Sequence, residues 1–157
     1  MNTDQEIAAE VSQYLQTQPL TQADFAAQYG PELEAGHRDV AAQVPESAAQ
    51  TRGLGELITN LTAWIWHQVE PLVKQEICSA QNYALLSSIT PEQLSTHIDD
   101  ILTPLAAAVT ENLPFRIKLL APLLPRVRKL IANIIAHELQ QAGQAGWSAY
   151  CGVPARP

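Results

Sequence analysis

A chain of 157 residues, 46% of them apolar, is long enough for one domain with a substantial core. Only 16% of its residues are charged, against about 25% in ordinary globular domains, and a net charge of -7 argues against a nucleic-acid partner. The acidic excess is local. The first fifty residues carry eight acids and one base, Arg38, whereas the remainder carries eight of each.

Strand signals are absent: there is no sustained period-two alternation and no Asn-Gly or Asp-Gly turn. Ala, Leu and Gln dominate, and these residues lose little rotamer freedom in a helix. The expected fold is all-α, a compact bundle of about four or five helices over residues 56–142. An acidic helical arm and linker (1–55) precedes it, and a Gly- and aromatic-containing tail (143–157) follows.

In chain order, Thr3 and Glu6 have the spacing of a capping box, and Ile7, Val11, Tyr14 and Leu15 then share a face. A second short helix after Thr21 should end near Gly30-Pro31. Residues 31–55 read as a linker. From Glu56 the apolar spacing is strongly helical through Ile77, with Pro71 as a kink or break. A short helix over 79–88 is expected, carrying Tyr83, Leu85 and Leu86. Thr90-Pro91-Glu92-Gln93 is the best helix start in the chain, and one apolar face continues from Leu94 to Val109. Pro104 can kink or restart that helix. Three prolines make 113–125 at best a short, broken helix, and an uninterrupted pattern runs from Arg126 to about Gln141.

Chemistry-bearing motifs are sparse. Glu34 and His37 have ExxH spacing once, and His67 and Glu70 have it in reverse. There is no HExxH and no CxxC, so neither a metal nor another cofactor is expected. Cys78 and a histidine could pair as nucleophile and base, but a thiol ending an apolar helix is more simply an inert buried group. Cys78 and Cys151 can form one disulfide at most, and unpaired thiols are the preferred reading. GxSxG and phosphate-binding Gly-rich loops are missing, and Asp99 and Asp100 point about 100° apart on a helix. A non-catalytic protein is expected. The N-terminal MNTDQEIAAEV is not a signal peptide, since no basic region precedes an apolar run, and the cytoplasm is the expected setting.

The unusual stretch is LPFRIKLLAPLLPRVRKLIANIIAHEL, residues 113–139, with five bases before its first acid. Arg116, Lys118, Arg126, Arg128 and Lys129 could face another protein, an anionic membrane surface (115–139 as a basic amphipathic segment), or the acidic first third of the chain acting as a latch. The simplest reading makes 127–139 the last core helix and the bases its solvated end. The bases bunch where the helix dipole disfavours positive charge, so something acidic should compensate.

Among the aromatics, Trp64 matches the buried stripe. Trp66, about 200° away, becomes a candidate apolar anchor. Trp147 is a second candidate, although with Tyr150 it more readily packs back on its own domain. The preferred function is a non-catalytic adaptor, regulator or assembly factor that binds another protein through Trp66, Arg116, Lys118, Arg126, Arg128, Lys129 and Trp147. Peripheral membrane binding is the second reading. A small-ligand carrier or enzyme with a pocket near Trp64 and His67 is the third.

Overall fold

Asn2, one residue ahead of the expected Thr3, caps the first helix: its side chain accepts from Gln5 N at 2.8 Å, and Gln5 bonds back to Asn2 N at 3.1 Å. The computed structural model describes residues 2–43 and 60–152. Every regular element among them is helical, so the fold is all-α. The elements are α1 (Thr3–Gln16), α2 (Gln22–Gln43), α3 (Leu61–Ile77), α4 (Ala80–Leu86), α5 (Pro91–Leu94), a π turn (Ile98–Leu102), α6 (Thr103–Glu111), α7 (Phe115–Leu123), α8 (Pro125–Ala145) and α9 (Trp147–Cys151). These exceed the four or five helices expected, because the Pro- and Gly-rich connections carry short helices of their own. The stretch from 44 to 59, including the expected core start at Glu56 and Leu57, lies outside the described residues, as do 153–157 of the tail.

One proline behaves differently from expectation. α2 continues through Gly30-Pro31 to Gln43. A proline disfavours helical geometry in the residue before it by clashing with that residue's Cβ, and Gly30 has none. Leu33 and His37, buried on the continued turns, hold the second half of α2 to the body. The expected linker therefore begins as helix. Pro71 likewise lies inside one helix, α3. By contrast, Thr90 caps α5 as expected, with both capping-box bonds present, yet the helix lasts only four residues before the π turn and α6. Leu124, extended at φ -118° and ψ 110° ahead of Pro125, separates α7 from α8.

α8 is the central element. Its residues Leu130 to Ala136 are buried without interruption, since α1, α2, α3, α5, α7 and α9 all pack on it. α1 supplies Ile7, Ala8, Val11 and Leu15, and α2 supplies Phe25 and Leu33, to the same hydrophobic core as Ile65, Val69 and Val73 of α3. The segment 2–33 thus contributes to the core. Directed polar bonds pin it there. Asn133, fully buried on α8, accepts from Leu20 N at 2.7 Å and donates to Leu20 O at 2.9 Å. Ser12 Oγ donates to Ser95 O at 2.6 Å, and Thr110 Oγ1 to Asp4 Oδ1 at 2.8 Å.

Cys78, just after α3, and Cys151, ending α9, form a disulfide with Cα atoms 5.6 Å apart. This corrects the expectation of unpaired thiols and removes Cys78 as a nucleophile. Sequence could not supply the pairing, because it depends on Gly146, at φ 92°, turning the chain from α8 into α9 and back toward α3. No helix among the described residues is long and apolar enough to cross a membrane.

Candidate functional site

The sequence-derived bases divide into two groups. Three lie at the start of α8 and face acids of α1 and α2. Arg128 Nε is 2.6 Å from Glu6, Lys129 Nζ is 3.8 Å from Glu10, and Arg126 Nε donates to Glu32. Arg128 also donates to the carbonyls of Ala121 and Pro122, at 2.9 and 3.0 Å, closing the end of α7 against α8. Lys129 sits over the rings of Tyr14 and Tyr29, at 5.3 and 5.2 Å, and Arg126 over Tyr29 at 5.2 Å. The positive charge that the α8 dipole disfavours is therefore offset from within the chain. The seam contains a cleft of about 410 Å³ between Tyr14, Tyr29, Leu20 and Lys129. Burial, then Tyr29 and Glu10, push the Tyr14 phenol well above its ordinary range.

The other two bases lie on α7. Arg116 lies over the Trp64 ring at 5.5 Å, and exposed Lys118 donates to Glu111 O at 3.2 Å. Ile117, Leu120 and Ala121 face inward. The opposite side of α7 is also apolar: Phe115 is 48% and Leu123 62% exposed, with half-buried Leu119 between them at helical spacing. A depression of about 190 Å³ beside this face is lined by Thr3, Asp4, Thr110, Leu113, Lys118 and Pro122, among others.

The tryptophans exchange the environments assigned to them. Trp66 is the buried one, at 5% exposure, covered by α8 with its ring edge-on to His137 at 5.4 Å. Trp64 is only partly buried. The sequence pattern gave α3 one buried stripe, but α2, α6 and α8 all pack on it and widen that stripe past Trp66. Trp66 as placed cannot anchor a partner. Trp147 packs edge-on against Tyr83 at 6.3 Å. His67 is exposed and Trp64 only partly buried.

A second polar assembly lies where α3, α8 and α9 meet, and sequence reasoning missed it. Glu138 on α8 is 5% exposed. Tyr150 of α9 donates its hydroxyl to Glu138 Oε1, and His137 Nδ1 lies 3.2 Å from Glu138 Oε2. Glu70 on α3 joins them and accepts from Trp66 Nε1 at 2.9 Å through its Oε2. Lys74 lies over the Tyr150 ring at 4.9 Å. Burial pushes the Glu138 carboxyl up, but hydrogen bonding to His137, Tyr150 and Glu70 outweighs it and holds the group below its ordinary value. Burial and the bond to Glu138 push the Tyr150 phenol up. One signal was present in the sequence. Glu138 falls on the stripe of Val127, Ile131, Ile134 and Ile135, so a carboxylate occupies a core position and must find donors.

No protein-family model matches this chain, and neither does any curated protein or solved structure.

Proposed function

We propose that the protein is a non-catalytic interaction protein, an adaptor, regulator or assembly factor, that docks an acidic, apolar-faced segment of another protein on α7. The observation that carries this reading is the apolar row of Phe115, Leu119 and Leu123, exposed at its two ends and half-buried at its centre, beside Lys118 and Arg116. Large apolar side chains grouped on one short helix with two bases of the same helix beside them suit an anchor with electrostatic complementarity. Arg128 supports it indirectly, by closing the end of α7 against α8, whereas Arg126 and Lys129 face α1 and α2.

Membrane-surface binding is the second reading, and charge arithmetic ranks it there. Five bases near an anionic surface would add roughly 5 kcal/mol at about 1 kcal/mol each. Three of them already face Glu6, Glu10 and Glu32. The two on α7 would add only about 2 kcal/mol, on a helix of nine residues. The cytoplasmic setting expected from the sequence and the Cys78–Cys151 bond pull in opposite directions, since reducing compartments keep thiols apart. The docking proposal holds in either setting, because neither cysteine lies on α7.

A photo-cross-linking amino acid at Leu123 of the full chain tests the proposal. The expected product is an adduct to another protein, at a segment with Asp or Glu beside helically spaced apolar residues. Its yield should fall with salt and with Lys118→Glu. Adducts to lipid would make the membrane reading primary, and adducts only within the chain, or none, would overturn both.

A further inference from the structure

We propose that Glu70, His137 and Glu138 form a binding site for a first-row divalent metal ion of the zinc class, with Trp66 and Tyr150 as the groups that orient its carboxylates. One ligand atom from each of the three residues lies within 4.8 Å of the other two. The set contains an imidazole as well as carboxylates, and it comes from two helices, α3 and α8, whose packing fixes their separation. His137 Nδ1 and Glu138 Oε2 are 3.2 Å apart. A tetrahedral ion with bonds of about 2.0–2.2 Å holds neighbouring ligand atoms about 3.3–3.6 Å apart, so this pair already has nearly the required bite. Glu70, whose ligand oxygen lies within 4.8 Å of both, would complete a third ligand by a side-chain movement that its half-buried position permits.

The supporting groups match what a metal site needs. Ligating carboxylates are themselves hydrogen-bonded by outer groups that fix their orientation. Trp66 Nε1 holds Glu70 Oε2 and leaves Glu70 Oε1 to bind. Tyr150 holds Glu138 Oε1 and leaves Oε2 on the side of His137. A cation among these three residues would also relieve the repulsion between two carboxylates this close in a partly buried space. One nitrogen and two oxygen ligands suit zinc or its first-row neighbours better than calcium or magnesium, which take oxygen ligands and more of them. Three protein ligands leave at least one position for water. α9 covers the site through Tyr150, and the Cys78–Cys151 bond ties α9 down.

The test is titration of tag-free full-length protein, stripped with chelator, with cobalt(II), read by the visible bands of a tetrahedral site, followed by displacement with zinc. Expected is one equivalent bound, release by one equivalent of zinc, a rise in Tm with either ion, and no rise with magnesium. Glu70→Gln and His137→Gln should each weaken binding at least tenfold, whereas His67→Ala should not. Glu70 is half-buried and its Gln variant keeps the bond from Trp66, so folding, checked by circular dichroism, should persist. Absence of cobalt bands in the wild-type protein would overturn the proposal. Equal binding by Glu70→Gln and His137→Gln would overturn it as well, by placing the ion elsewhere.

Discussion

The two ends of α8 handle charge in opposite ways. At its start, Arg126, Arg128 and Lys129 meet Glu6, Glu10 and Glu32 across a partly exposed seam, with separations from hydrogen-bonding range to 3.8 Å, although the Glu10 oxygen facing Lys129 is itself shielded from water. Toward its end, Glu138 is almost wholly enclosed and each of its oxygens has a designated neighbour. A charge in contact with water needs only a nearby opposite charge, because solvent supplies what geometry does not. A charge removed from water needs directed partners, because nothing else satisfies it. The first end should therefore tolerate substitution and respond to salt, and the second should do neither.

The largest effect should come from cutting the tie that holds the enclosed end. Cys78 and Cys151 are 73 residues apart in sequence. Cross-linking a loop of that length stabilises by roughly 4 kcal/mol in the chain-entropy account, which is an upper figure. Cys151→Ser, compared with the wild type by urea unfolding with and without reductant, should lose most of that amount and show no further response to reductant. A loss below about 1 kcal/mol would mean that Trp147 and Tyr150 hold α9 by packing alone.

Glu138→Ala should cost about 3 kcal/mol, because Tyr150 and His137 lose their acceptor in a place water does not fill. The measurement belongs in chelator, so that bound metal does not contribute. If the loss is no larger than for a surface acid, the contrast between the ends of α8 fails. Arg128→Gln should cost about 1 kcal/mol, since it bonds two carbonyls as well as Glu6. Arg126→Gln, in the more exposed pair, should cost a few tenths of a kcal/mol. Both losses should shrink at high salt, as screening removes what the pairs contributed.

This contrast also explains what could be read from the sequence. The all-α class followed from composition and helical spacing, and the dipole argument called for an acidic counterpart to the bases of α8, with the acidic first third of the chain as one of three candidates. The enclosed cluster was not legible, because its members come from 66, 70, 137, 138 and 150 and only tertiary packing brings them together. The Trp64 and Trp66 environments were exchanged for the same reason. A helix period reports one buried face, and α3 is covered on more than one. The continuation of α2 past Pro31 was hidden by reading Gly-Pro as a stop, when the glycine is what permits the proline there.

The smallest prediction concerns a pair that belongs wholly to the tolerant kind. His97 Nδ1 lies 2.9 Å from Asp100 Oδ2 at the start of the π turn, and this hydrogen bond, first among the causes, holds the Asp100 carboxyl below its ordinary value of 3.8. A carboxylate whose folded value is depressed binds its proton more readily in the unfolded chain. Its contribution is therefore fully present above pH 4 and is lost as pH falls through the folded value. Asp100→Asn should remove that increment, so its loss, small because water already solvates the exposed carboxylate, should be seen at neutral pH and fade toward pH 3. Paired thermal melts at pH 3 and pH 7 check it. The variant should lose less stability than the wild type between the two, and equal losses would show that the His97–Asp100 bond carries nothing into the fold.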